Sequence, residues 1–143
     1  MGKILNIKPI IVNNYDFNLN SAWLSGFIDA DGYFSIRNVY TLTISISQKT
    51  SSILYSIKEK LNCGNVYLDK RGNTYNYVIT DLKGIKIMLM YLSKYPLKTS
   101  KYFDYLKFCK LVEYKELKYH YKNNVNKSKI DHLVKLFRDR YKM

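Results

Sequence analysis

The sequence predicts an α+β fold of order αββαββα, in which a four-stranded antiparallel, saddle-shaped sheet carries its helices on one face and extra helices follow at the C-terminal end. Three observations predict it. A stretch with helical spacing of apolar residues is followed by two short stretches with alternating spacing, and this happens twice. Within each alternating pair only a few turn-forming residues intervene, so the strands must pair as hairpins. The apolar positions of all four strands fall on one side, which leaves a sheet face of Ser, Thr, Asn, Tyr and Arg that no core needs.

The first helix runs from about residue 22 to Asp31, where Asn20 or Ser21 can cap its start and Gly32 ends it. Phe34 and Ile36, then Leu42, Ile44 and Ile46, alternate in two strands joined by a turn at Asn38, Val39 and Tyr40. Thr50 to Leu61 returns to helical spacing through Ile53, Leu54, Ile57 and Leu61. Val66 and Leu68 open a second hairpin, which turns at Lys70-Arg71-Gly72-Asn73 and returns over Thr74 to Thr80. An apolar helix follows from Leu82 to Leu92, Tyr95-Pro96 breaks it, and helices over Ser100–Tyr119 and Ser128–Arg140 finish the chain. We expect one domain over residues 1–143, with a lead segment at 1–19, a core at 20–120 and a basic C-terminal helix at 121–143.

Composition narrows the function. The 24 Lys+Arg against 11 Asp+Glu give a net charge of +13, yet 47% of residues are hydrophobic, so the chain folds and still attracts polyanions. Twelve of those basic residues against five acidic ones lie from Lys101 onward. Cys63 and Cys109 have neither a CxxC partner nor a nearby histidine pair, and read as small, half-buried hydrophobes rather than zinc ligands or a disulfide. The apolar run from Ile87 to Leu92 is too short to span a bilayer. The N-terminus has no signal-peptide pattern, and Asn6 breaks the myristoylation pattern after Gly2, so no membrane partner is expected. Abundant Tyr, Lys, Asn and Ile suit an AT-rich genome such as that of an organelle.

The chemistry concentrates in the first helix. Ala22, Gly26 and Ala30 lie four apart and make a stripe without bulk, against which another backbone can approach closely. Trp23 with Phe27 and Leu24 with Ile28 make a bulky stripe expected to enter the core. Asp29 and Asp31 then sit at the negative end of the helix dipole, which disfavours a carboxylate by ~0.3–1 kcal/mol. Either the two acids simply form a turn before Gly32, or a divalent cation with oxygen ligands offsets that cost.

Leu24-Ser25-Gly26-Phe27-Ile28-Asp29-Ala30-Asp31-Gly32 resembles the LAGLIDADG motif of homing endonucleases and intron maturases, with Ser25 and Phe27 as the two departures in nine positions. The element order and the Tyr95–Tyr105 junction resemble that family too, over roughly residues 20–120. The resemblance implies a site-specific DNA endonuclease that makes double-strand cuts by metal-dependent phosphodiester hydrolysis, with Mg²⁺ or another divalent cation as cofactor. It implies that Asp31 is the metal ligand and that Asp29 supports the helix end. Lys101, with Lys98 as its rival, would orient the attacking water or stabilise charge, and Gln48 would stand beside the reacting centre. Tyr33 departs from the smaller residue that usually follows the motif.

Two active sites are needed for two strands, so one motif per chain implies a homodimer, or pairing with a second LAGLIDADG domain, through Ala22, Gly26 and Ala30. Contacts to double-stranded DNA are expected from Ser35, Arg37, Thr41, Thr43, Ser45, Asn65, Tyr67, Asp69, Arg71, Asn76, Val78 and Thr80. The alternatives are an RNA-binding maturase or ribonucleoprotein component on structured RNA, and a basic subunit docking on an acidic protein. Family habit and composition point to an organelle, the mitochondrion first.

Overall fold

The structure, a computed structural model, describes residues 19–142, so the lead segment expected at 1–19 lies outside the described residues except for Leu19. The order is α1 (Trp23–Asp31), β1 (Gly32–Arg37), β2 (Thr41–Gln48), α2 (Ser52–Leu61), β3 (Asn65–Asp69), β4 (Thr74–Ile79), α3 (Leu82–Lys94), α4 (Lys101–Glu116) and α5 (Lys127–Arg138). Every expected element is present, with ends displaced by up to three residues. The largest displacements are at the end of α4, where Lys118 adopts a positive φ of 64° just past the helix, and at the end of the apolar helix, which runs on to Lys94.

The sheet is antiparallel in the order β1-β2-β4-β3. Its register pairs Phe34 with Ile44, Ile36 with Leu42, Ile44 with Ile79 and Ile46 with Tyr77, so the apolar side chains of both hairpins share one face. The helices cover that face. Leu24 and Ile28 of α1, Leu54 and Ile57 of α2, Ile85 and Met88 of α3, Phe108 and Leu111 of α4 and Ile130 of α5 are all fully buried in one cluster with the sheet. The basic C-terminal helix also adds Val134 and Phe137 to that cluster. Arg140 secures it: its Nε lies 2.8 Å from Oδ1 of buried Asp104, and its guanidinium stacks 3.7 Å from the Phe137 ring centre. Burial pushes the Asp104 carboxyl above its ordinary pKa despite the Arg140 and Lys107 charges.

On the other face the register aligns Tyr33 with Ser45, Ser35 with Thr43, Arg37 with Thr41, Ser47 with Asn76 and Asp69 with Thr74. Here one expectation is corrected: Thr43 and Ser45 are fully buried and Val78 is buried too, so the middle of this face is not wet. Ser45 stands between Tyr33 and Val78 in the register, and the Thr43 and Ser35 hydroxyls hydrogen-bond each other.

α1 runs straight into β1 with no loop. This requires Gly32, where an added Cβ would stand 2.8 Å from the Ile28 Cγ2 and 3.0 Å from the Ile28 carbonyl oxygen. Tyr91 of α3 holds the start of α1: its hydroxyl donates to the Ser21 carbonyl at 2.8 Å and accepts from the Ser25 N–H at 3.0 Å. The cap position is Ala22, with no side-chain cap, while the Ser21 hydroxyl accepts from the Trp23 N–H at 3.4 Å. No described helix is long and apolar enough to cross a membrane, and Cys63 and Cys109 are half-buried thiols.

Candidate active site

The helix-to-strand junction delivers Asp31 to the rim of the sheet. Asp31 is the last residue of α1, and the Gly32–Ile46 pairing brings the end of β2 alongside it. Gln48, the last residue of β2, donates from Nε2 to Asp31 Oδ2 at 2.9 Å. The carboxylate is exposed, and among the described residues its Oδ1 accepts no hydrogen bond.

Asp29 is bound quite differently. Its Oδ2 accepts from the Lys98 N–H at 2.8 Å, and its Oδ1 accepts from the Thr99 N–H at 3.2 Å and the Thr99 hydroxyl at 2.7 Å. Burial alone would raise its pKa, but the Thr99 hydroxyl, the two backbone N–H groups and the Lys101 charge outweigh burial and hold the carboxyl below its ordinary value. Lys101 Nζ donates to the Ile28 and Asp29 carbonyl oxygens at 3.1 and 2.8 Å, which places a cation on the unsatisfied C-terminal end of α1. The dipole penalty noted in the sequence is therefore answered locally for Asp29. Asp31, with a single neutral amide on it, is the acid left available.

That donor chemistry fits a hard divalent cation. Mg²⁺ takes one or two carboxylates and completes its octahedron with waters and phosphate oxygens. Among the described residues no group of three His, Cys, Asp or Glu gathers anywhere.

The small stripe is open. Ala22, Gly26 and Ala30 are exposed, and a Cβ added at Gly26 would meet nothing within 4 Å. Trp23 corrects the sequence reading: it is 40% exposed and stacks on Phe27 at 5.2 Å, while Phe27 is half-buried and packs against the margin of the core. The residues that α1 buries are Leu24 and Ile28, in the core, and Ser25, which hydrogen-bonds Tyr91 and Pro96; Trp23 lies off that side. The uncovered side of α1 thus carries small residues, and a hollow of about 260 Å³ lined by Ala22, Gly26, Asp29, Tyr95, Pro96 and Lys98 among others adjoins it.

Of the expected contact residues, Arg37, Asn65, Tyr67, Arg71 and Thr80 are exposed, and Ser35, Thr41, Asp69 and Asn76 are half-buried. Asp69 is engaged locally, accepting from the Arg71 backbone N–H at 3.1 Å. Tyr33 is 46% exposed on the same face, directly beside Ser45 in the register.

A model of the LAGLIDADG endonuclease family matches residues 24–112. The chain belongs to the LAGLIDADG endonuclease family. It is 38% identical over 104 residues to the cox1 intron-2 37.2 kDa protein of Schizosaccharomyces pombe, covering 68% of this chain and 32% of that one. It is 35% identical over 140 residues to probable intron-encoded endonuclease 4 of Neurospora crassa, covering 84% of this chain and 26% of that protein. The chain thus spans about a third or less of these relatives' lengths. Among solved structures it is similar to the LAGLIDADG meganuclease I-AabMI bound to uncleaved DNA, with a TM-score of 0.71 at 29% identity over 81% of this chain and 43% of that one. It is also similar to the archaeal intron-encoded homing endonuclease I-Vdi141I complexed with DNA, with a TM-score of 0.72 at 25% identity over 84% and 82% of the two chains. LAGLIDADG chains thus share with this one the motif helix, the four-stranded sheet and the helix layer.

Sequence reasoning missed Thr99 and Tyr91, which brace α1 from 66 to 70 residues away. No local pattern marks them, since a threonine after a proline loop and a tyrosine on an apolar helix are ordinary residues.

Proposed function

We propose that this chain supplies one half of a site-specific DNA endonuclease that cuts both strands by divalent-metal-dependent hydrolysis. The carrying observation is the division between the two motif acids: Asp29 is consumed in bracing the helix end, while Asp31 stands exposed beside Gln48 at the sheet rim. Asp31 would hold Mg²⁺ or another divalent cation, with Gln48 orienting its carboxylate. When bound, such an ion stabilises the attacking and leaving oxygens of an in-line displacement. Lys101 keeps the end of α1, and hence Asp31, in place, and its ammonium adds positive charge next to the scissile phosphate.

The partner is double-stranded DNA, drawn by the +13 charge and read by the exposed side chains of the open face. Arg37, Arg71, Asn65 and Asn76 have the donors and acceptors for base edges, while Tyr67, Ser35, Thr41 and Thr80 suit backbone or water-bridged contacts. Buried Thr43, Ser45 and Val78 shape the floor beneath them. Two such units pair through Ala22, Gly26 and Ala30, as a homodimer or with a second LAGLIDADG domain, so that two Asp31-type acids meet near the pairing axis. Relatives named for the cox1 intron, together with the AT-rich composition, favour an organelle, specifically the mitochondrion. No observation favours the RNA-binding alternative.

The test is to incubate the full chain with a randomised duplex library and Mg²⁺, beside an Asp31→Asn control, and to sequence the ends produced. Specific double-strand ends that vanish in the control are expected. Equal ends from both proteins, or binding to structured RNA with no cuts, would overturn the reading.

A further inference from the structure

β1 is an edge strand, and its outward carbonyls would ordinarily stand open to solvent or to another strand. Here they are occupied in sequence. Arg140 Nη2 donates to the Phe34 carbonyl at 3.1 Å, Arg138 Nη2 donates to the Ile36 carbonyl at 3.3 Å and to the Asn38 carbonyl, and Lys115 Nζ donates to the Tyr40 carbonyl at 2.8 Å. Every second carbonyl from Phe34 to Tyr40 thus accepts from a basic side chain of α4 or of the α5 end. The Tyr40 hydroxyl in addition donates to Asp131, whose other oxygen is held by Lys127 Nζ at 2.8 Å. The His120 ring lies edge-on to the Tyr40 ring at 5.6 Å.

Among the described residues no basic side chain clamps the second hairpin in this way. Its turn, residues 70–73, is braced by its own strand end, through Arg71 on Asp69. The two hairpins therefore differ in stiffness at their tips. Both turns carry an asparagine at a left-handed φ of 54°, Asn38 in the first and Asn73 in the second, so what sets the β1–β2 tip apart is its clamp; Val39 beyond Asn38 is 52% exposed.

We propose that Arg138, aided by Lys115, is a positioning residue that fixes the β1–β2 turn against the open face and so sets base preference at the outer end of each half-site. This rests on the endonuclease reading above. Arg37 and Thr41 close that turn as a directly opposed pair on the open face, with Arg37 exposed. A guanidinium reads a guanine edge only when both of its hydrogen bonds are met together, so a backbone shift of a fraction of an ångström is enough to lose the reading. Arg138 acts on that contact through the Ile36 and Asn38 carbonyls without touching the duplex. Its position on α5 places the specificity of a sheet residue under the control of a helix a hundred residues downstream.

The experiment compares wild type, Arg138→Met and Arg138→Lys as full chains. It uses selection from a randomised duplex library at two salt concentrations and amide hydrogen exchange of residues 37–41. In Arg138→Met, exchange at those amides is expected to rise about tenfold, as for loss of one charge-assisted bond. Base preference is expected to fall about fivefold to tenfold at the outermost pairs alone, with inner preference, cut position and salt slope unchanged. Arg138→Lys, which keeps the charge and one of the two bonds, should recover part of both effects. Uniform weakening at all positions, with the salt slope reduced by about one, would make Arg138 a phosphate contact and overturn the proposal. So would faster exchange with an unchanged preference profile, the mark of a purely structural brace. A wild-type protein that enriches no duplex would sink the endonuclease reading and this inference with it, whereas enrichment of one site with identical profiles in all three proteins would sink this inference alone.

Discussion

Replacing each motif acid by its amide separates stability from chemistry. Asp29→Asn keeps one acceptor oxygen, enough for the two Thr99 donors, but turns an NH₂ toward the Lys98 N–H that Oδ2 now accepts from at 2.8 Å. Hydrogen bonds to a charged group contribute ~1.5–3 kcal/mol each, and this site is partly solvated, so the lower end applies. Removing a charge from the helix C-terminus returns ~0.5 kcal/mol. The net loss is about 1–2 kcal/mol, or a fall in Tm of roughly 5 °C for a chain of this size. Asp31→Asn surrenders only an exposed bond from Gln48 and gains the same dipole relief, so its Tm should stay level or rise by about 1 °C while metal-dependent cleavage disappears. The assay is differential scanning calorimetry beside cleavage of a selected duplex. Asp29 also predicts a pH signature. Its folded-state pKa is depressed, so its contribution is present above the ordinary carboxylate value and is lost as pH falls through the depressed one. The gap between wild type and Asp29→Asn should be full at pH 6 and shrink once pH drops below about 4. Equal Tm losses for the two amides, or a gap that does not narrow in acid, would refute the assignment of bracing to Asp29 and chemistry to Asp31.

Three further outcomes follow from the same geometry. Lys101→Met removes the cation from the Ile28 and Asp29 carbonyls and should cost about 1–2 kcal/mol by urea titration, in addition to any loss of activity. Gly26→Leu meets open space in the single chain and gains up to about 1 kcal/mol of helix propensity, yet should abolish pairing in sedimentation and cleavage with it. A variant that still pairs would exclude the small stripe as the interface. Arg140→Met leaves Asp104 buried without its cation and should cost about 3–5 kcal/mol, read as a lowered urea midpoint at unchanged m-value.

Local patterns made most of the fold legible. Alternation placed four strands, two short turns dictated hairpins, and helical spacing placed the covering layer with its core residues Leu24, Ile28, Leu54, Ile57 and Ile85. The errors share one cause: a one-dimensional pattern states which residues lie on one side of an element but not what is packed against that side. Trp23 and Phe27 are bulky and adjacent to the core stripe, so periodicity assigned them inward. α1 instead presents its Ser25 edge to Tyr91 and Pro96, which leaves Trp23 exposed and Phe27 at the margin of the core. Thr43 and Ser45 alternate as polar residues should, yet on a central strand a short hydroxyl side chain is covered whatever its polarity. The edge clamp was hidden for the same reason, because Arg138 and Arg140 in a basic helix look like a footprint for polyanions until their carbonyl partners a hundred residues away are seen.

That last point alters how the charge of this chain is to be weighed. The twelve basic residues from Lys101 onward suggest a diffuse surface for phosphate, yet Lys101, Lys115, Arg138 and Arg140 are spent on backbone carbonyls, and Lys127 and Lys135 on Asp131 and Asp139. Cations fixed in this way hold two functional pieces in place, the end of the motif helix and the tip of the first hairpin, and both are backbone termini with surplus carbonyls. The carbonyls at both places carry partial negative charge, which would otherwise oppose the polyanion proposed above as the partner. With Asp29 bound by Lys98 and Thr99, Asp31 is the motif carboxylate left accessible for the divalent cation proposed above.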